Sequence, residues 1–280
     1  MISQLITHRE LIYTLVKRDL KVRYKASTLG FLWSFGRPLL LMLVMWAVFS
    51  VIMRTQTEIP YSLHLLTGIL PWMFFQGAIM EAQSSILANA SVVKKVSLPT
   101  EAFPISTVIS NLVHLVLAFL ILFGFILFYT IFKDPLLFPG WEIIFLPLLI
   151  LLQAAILIGI SLILSSLYVF YRDVGSISEI VLTAWFYLTP VIYPMQKARE
   201  QLKGLTESDA LYYLYLCNPM TPVILGYRRV FFGRHLRISP EVADSTLLIG
   251  LGMSCIFALA VLWIGTALFN RLSRRFADEL

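Results

Sequence analysis

At 280 residues, 59% hydrophobic and 14% charged, the chain carries far more apolar surface than a water-soluble domain of this size needs. Its net charge of +6 does not point to nucleic acid, because the cations stand mainly beside apolar runs, where membrane orientation requires them. The two cysteines, Cys217 and Cys255, have no metal-ligand spacing and read as packing thiols.

The chain opens on a basic amphipathic segment, ELIYTLVKRDLKVRYKAS from Glu10. Ile12, Val16, Leu20 and Tyr24 recur every four residues on one helical face, with Glu10, Thr14, Lys17, Lys21 and Lys25 on the opposite one. Such a helix, within residues 1–30, lies along a membrane interface rather than through it. These residues are too polar for a cleavable signal, so the first span is expected to direct insertion itself. Lys and Arg before a first span stay on the cytoplasmic side, which places the N-terminus there. The segment then serves either as a headgroup anchor or as a docking surface for a partner.

Apolar runs predict an all-α integral membrane protein with six spans, over residues 34–53, 61–83, 105–132, 141–169, 174–193 and 245–269. Together they form one bundle, 34–269, and six crossings return the tail, 270–280, to the starting side. Thirteen Lys and Arg fall in the segments assigned inside, whereas the two short outer loops hold only Arg54 and Lys133.

Two loops stand out. In the cytoplasmic one, 84–104, Asn89 or Ser91 can cap a short helix that carries Val92, Val93 and Val96 beside Lys94 and Lys95 and ends before Pro99. It reads as a solvated tether or as a lever held between two spans. The outer segment, 194–244, contains LYYLYLCNPMTPVILGY from Leu211 to Tyr227, which Asn218, Pro219, Pro222 and Gly226 interrupt. An odd number of spans would put Arg271, Arg274 and Arg275 outside. The stretch is therefore expected to be helical pieces that dip into the outer leaflet or cover a cavity, because broken backbone at that depth needs protein or water to satisfy it.

Ionisable groups within the spans, His64, Glu81, His114 and Glu179, are scattered, and no two share one helix at catalytic or metal-ligand spacing. No GxxxxGK[ST] loop occurs, so ATP-driven work requires another subunit. Trp46, Trp72 and Trp185 come out near mid-membrane, accompanied by Phe49, Phe74, Phe75, Phe186 and Tyr187. These rings either pack between helices or line a path on which sugars stack.

The run KRDLKVRYKASTLGFLWSFGRPLLLMLVMWAVFSVIMR closely resembles the opening of the polysaccharide-exporting branch of ATP-binding-cassette permeases, which export lipid-linked O-antigen, capsule or teichoic acid. NASVVKKVSLPTEAFPIS resembles that family's coupling helix, FYRDVGSI its loop before the fifth span, and NPMTPVILGYRRVFFG its outer gate region. The resemblance implies a homodimeric half-transporter of the cell's inner membrane, with both termini cytoplasmic and no enzymatic activity or cofactor of its own. ATP and Mg would sit on a partner ATPase. It further implies that Lys17, Arg18 and Lys21, with Val92, Val93, Lys94, Lys95 and Val96, meet the ATPase. Trp46, Phe49, Trp72, Trp185, Phe186 and Tyr187 would line the conduit, and Asn218, Pro219, Pro222 and Tyr227 would form the outer gate, among membrane lipids and the glycan. The rival readings are a secondary transporter, which would show coupling-ion carboxylates at mid-membrane, and an intramembrane glycosyl- or acyltransferase, which would require a clustered acid/base site.

Overall fold

The computed structural model describes residues 9–25, 33–55, 57–95, 98–206, 210–236 and 242–280, and among them every regular element is helical. In chain order these are α1 (Arg9–Lys25), α2 (Trp33–Trp46, continued by the π-helical turns Ala47–Ile52), α3 (Tyr61–Ala88), α4 (Ala90–Val93) and α5 (Ala102–Phe132). There follow α6 (Leu146–Phe170), α7 (Val174–Tyr187), α8 (Met195–Thr206), α9 (Ala210–Leu216), α10 (Met220–Leu236), α11 (Asp244–Leu272) and α12 (Phe276–Glu279).

Among the described residues, five helical stretches are long and apolar enough to cross a bilayer: Phe35–Ile52, Tyr61–Ala88, Ala102–Phe132, Pro135–Phe170 and Asp244–Arg275. The sixth expected span, residues 174–193, differs. It is helical only through the 14 residues of α7, about 21 Å at the helical rise, against the ~30 Å of a hydrocarbon core. Pro190 and Pro194 remove the N–H groups that would continue it, and the chain instead turns through Thr189–Ile192, with the Val191 N–H on the Thr189 carbonyl at 2.7 Å.

The bundle is built around α3. Twenty of its residues are buried, on all its faces, which is the signature of a helix enclosed by others rather than one lying at a surface. It packs against α2, α5, α6, α7 and α10. The most extensive helix pair, α6 with α11, closes over two glycines. A Cβ on Gly159 would stand 2.7 Å from the backbone of Val261 and Leu262, and one on Gly265 would stand 2.5 Å from the Gly159 carbonyl oxygen. Only glycine allows that approach, the usual way that helices associate where no hydrophobic drive operates between them.

The apolar stretch 211–227 is not a crossing. It breaks at Cys217–Pro219 into α9 and α10, and α10 inserts into the core, where Met220, Val223, Ile224, Tyr227, Phe231 and Phe232 are buried with residues of α3, α5 and α6. The turn lies deep. Ser254 in α11 donates to the Pro219 carbonyl at 2.9 Å, ten residues into that helix or about 15 Å along it. A re-entrant hairpin of this kind survives only where protein satisfies its polar groups. Cys217 and Cys255, read as packing thiols, are both exposed and form no disulfide.

Candidate functional site

Functional geometry is concentrated at the two ends of α3. At the first end, α1 lies across α3 and α5, and its contact face centres on Leu15 rather than on the Ile12–Val16–Leu20 line. Leu15, Ala102 and Phe103 form a cluster onto which Leu11, Ile12, Val92 and Val93 pack. The expected coupling helix is therefore shorter than its spacing suggests, a single turn, α4. Its valines, half-buried, pack against α1 and α5. Asn89 stands at the N-cap position but makes no cap hydrogen bond. Its amide donates to the Ser85 carbonyl at 2.7 Å, and its oxygen accepts from Arg18 Nη1 at 2.7 Å. Arg18 also pairs with Asp19 at 2.9 Å. Lys94 and Lys95 are exposed, as are Lys17 and Lys21 on α1. Val96 lies outside the described residues.

A second tie sits one layer deeper. Arg23 pairs with Glu81 of α3, and the same carboxylate oxygen accepts from Asn111 Nδ2 of α5 at 2.8 Å. Two of the four groups that looked scattered along the sequence, Glu81 and His114, thus meet from different helices, whereas His64 and Glu179 stand elsewhere. Arg23, Arg37, Glu81, Asn111 and His114 line one cavity of about 270 Å³ between α1, α2, α3 and α5.

At the opposite end α3 meets the turn that follows α7. Tyr61 donates to the Ile192 carbonyl at 2.9 Å, and Arg228, buried on α10, donates through Nη2 to the Pro190 and Val191 carbonyls at 2.7 and 3.1 Å. A Cβ on Gly68 would lie 2.7 Å from the Val191 carbonyl oxygen, so glycine is what lets α3 and the turn touch. Asn218 ties this turn to the re-entrant hairpin with its whole amide. Its oxygen accepts from Trp185 Nε1 at 2.8 Å and from the Met220 N–H at 3.1 Å. Its nitrogen donates to the Leu188 carbonyl at 3.1 Å and to Thr189 Oγ1 at 3.0 Å. Pro219 and Pro222 are buried beside it, with Pro222 against Gly250. Tyr227 donates to Gln153 at 2.9 Å, and Gln153 in turn donates to the Pro71 carbonyl at 2.8 Å, so a polar chain crosses from α10 through α6 to the middle of α3. Tyr193 and Tyr215 share a 2.6 Å hydroxyl contact. Burial raises the Tyr193 phenol above its ordinary value, against the opposing pull of that hydrogen bond and of the Arg228 charge.

The aromatic residues separate into two groups. Trp72 is 2% exposed, in ring contact with Phe75 and Phe186, and Trp185 stands edge-on to Phe75 at 5.1 Å. In this conformation Trp72 faces no open surface, because the half-buried Phe186 covers it. Phe49 packs partly buried against the core. Tyr187 and Trp46 are 62% and 39% exposed, and among the described residues Trp46 makes no ring contact with the others. Sequence reasoning missed Arg228, Asn111 and Gly68. Arg228 reads as a water-facing charge, and nothing in its own helix announces the carbonyls of the turn after α7 that receive it.

The chain, a polytopic helical bundle with a basic helix at one end of its central span and a re-entrant hairpin at the other, belongs to the ABC-2 type transporter family, matched over residues 10–232. The similarity to individual relatives runs end to end. The chain is 29% identical to the O-antigen export system permease protein RfbA of Myxococcus xanthus over 281 residues, covering 100% of this chain and 99% of that one. It is 31% identical to the protein of the same name from Klebsiella pneumoniae, covering 97% and 95%. To the polysialic acid transport protein KpsM of Escherichia coli it is 23% identical, covering 92% of each. It is thus a multi-pass membrane protein of that family.

Proposed function

We propose that this chain is the permease of an ATP-driven exporter that moves a lipid-linked polysaccharide from the cytoplasmic to the outer side of the inner membrane. The observation that carries this reading is its full-length similarity to O-antigen export permeases. The α1 end faces the cytoplasm, where the charge bias of the sequence puts it, and a separate ATPase that binds ATP and Mg docks on the exposed Lys17, Lys21, Lys94 and Lys95. Val92 and Val93 act one step removed, by joining the docking turn to α1 and α5. Two copies of the chain enclose the conduit. Support comes from the outward apolar face of α7, where Ile177, Ile180, Val181, Tyr187 and Leu188 are all more than half exposed. Tyr187 and Trp46 then supply ring faces for the glycan, with Phe186 and, behind it, Trp72 backing Tyr187.

In this reading α3 is the transmitting rod. It is about 42 Å long at the helical rise, enclosed along its length, held by Arg23 and Asn89 contacts at one end and by the 188–192 turn at the other. A push at α4 reaches the hairpin without requiring α3 to bend. Depletion of the subunit tests the function directly: undecorated glycan should accumulate on the cytoplasmic side while the surface glycan disappears. Full surface glycan after depletion, or transport by the purified chain with no ATPase present, would falsify the exporter reading.

A further inference from the structure

We propose that the seam between α2 and α5 is a binding site for one anionic phospholipid of the leaflet at the α1 end, with its headgroup in the 270 Å³ cavity and one acyl chain in the groove beyond it. Two features lie in line along that seam. At the same level of α2 but further along α5, Phe35, Leu39, Leu120, Ile121, Phe125 and Phe128 bound an apolar groove of about 700 Å³. The floor of the groove is open at Gly124, where a Cβ would meet nothing within 4 Å. Among the described side chains of α2 only Pro38 and Met42 are buried, so the groove opens to the side from which a lipid arrives.

Charge selects the occupant. The cavity holds two guanidinium groups, of Arg23 and Arg37, against one carboxylate, Glu81, with His114 on the α5 wall. Arg23 is engaged by Glu81, whereas Arg37 forms no ion pair among the described residues. One uncompensated arginine matches the single negative charge of a lipid such as phosphatidylglycerol, and a guanidinium offers the forked donors that a phosphate oxygen pair accepts. Basic pockets between spanning helices are a recognised setting for anionic headgroups. A pyrophosphate would leave excess negative charge beside Glu81. The cavity is also smaller than the roughly 300–1,000 Å³ of pockets that enclose drug-sized ligands, so it takes a headgroup and excludes a polysaccharide. Because Arg23 belongs to α1 and Arg37 to α2, a lipid seated there holds the interfacial helix to the first span.

The test is native mass spectrometry of the full chain, purified from membranes with whatever subunit accompanies it, titrated with phosphatidylglycerol, phosphatidylcholine, glycerol 3-phosphate and a polyprenyl diphosphate. One phosphatidylglycerol per chain should persist under activation that strips phosphatidylcholine. Arg37→Gln should weaken its retention by roughly tenfold, the scale of one charge-assisted contact, while Arg37→Lys restores much of it. Gly124→Leu, which fills the groove at an open position, should weaken retention comparably with normal folded yield, and Arg54→Gln, outside the seam, should change nothing. Equal retention of phosphatidylcholine, or unchanged retention in both Arg37→Gln and Gly124→Leu, overturns the site. Competition by glycerol 3-phosphate at equal concentration would make it a soluble-anion site, and displacement by polyprenyl diphosphate would make it a substrate site; either result rejects the phospholipid. The exporter reading stands or falls separately, on the depletion experiment.

Discussion

Replacing Asn218 with alanine removes four hydrogen bonds at once, two accepted and two donated, between the end of α7 and the start of α10. A neutral hydrogen bond contributes about 0.5–1.5 kcal/mol net. The four share one side chain and are not additive, and Trp185 is half-buried and so regains some water, which leaves about 2–4 kcal/mol. That loss is local to the hairpin, because the Arg228 and Tyr61 contacts to the 188–192 turn remain. Amide exchange over residues 210–236 should therefore accelerate by at least roughly 30-fold, the factor that corresponds to 2 kcal/mol, while α6 and α11 keep their protection. Trp185 emission should shift as its indole N–H loses its partner. Asn218→Asp keeps the acceptor for Trp185 and Met220 but turns a carboxylate oxygen toward the Leu188 carbonyl, so it should not rescue the hairpin. Exchange within about twofold of the parent in Asn218→Ala, together with unchanged Trp185 emission, would refute the account of Asn218 as the hairpin's anchor.

Three further outcomes are expected. Gly68→Ala should lower thermal stability by about 1–3 kcal/mol, the overpacking scale, because the new methyl meets the Val191 backbone oxygen, whereas Gly124→Ala should leave the unfolding temperature unchanged or raise it; equal melting of the two variants contradicts the packing assigned to Gly68. Lys94→Glu with Lys95→Glu should keep normal folded yield and lose ATPase co-purification, whereas Val93→Asp should loosen α1 itself, read as faster proteolysis within residues 9–25; retention of the ATPase by the lysine pair variant removes those residues from the docking surface. Trp72→Ala should cost roughly 3–5 kcal/mol of stability as a buried aromatic truncation and lower folded yield, whereas Tyr187→Ala should fold normally and export more slowly; normal export by Tyr187→Ala would exclude that ring from the conduit wall.

Much of the bundle was legible because each long span announces itself by length and apolarity, and those signals are properties of single segments. The register of α1 was less so. Its apolar and basic residues suggest a face through Val16, yet the helix rests on Leu15, because the neighbouring α5 presents Phe103 there and Asn89 receives Arg18 at that same contact. An exposed charge at the edge of the contact, such as Arg18, moves the apparent moment away from the true contact line. The surroundings of the coupling valines were illegible for a related reason: valines beside two lysines describe an amphipathic turn, but that Val92 and Val93 pack on α1 and α5 depends on where α1 lies, and that is long-range information. Similarly, Glu81 and His114 looked isolated because a one-helix spacing test cannot bring together groups on α1, α3 and α5.

The outer segment shows where local reading ends. Asn218 and Pro219 marked the break in 211–227, whereas Pro222 lies in the first turn of α10, where its missing N–H is no loss to the helix. What they could not convey is depth. The hairpin is held inside the bundle by partners that lie far off in sequence: Gln153 on α6 for Tyr227, Ser254 on α11 for the Pro219 carbonyl, and the Pro190 and Val191 carbonyls for Arg228. Each of those groups exists because another helix was interrupted or made polar where an apolar residue would have packed more simply. The prolines that shorten α7 free carbonyls that would be costly in hydrocarbon, and the buried Arg228 is tolerated because those carbonyls receive it. Neither feature is stable without the other, so the short span and the buried charge have to be explained as one device. Shortening α7 in this way is what leaves the hairpin a place to enter and gives α3 a turn to bear on.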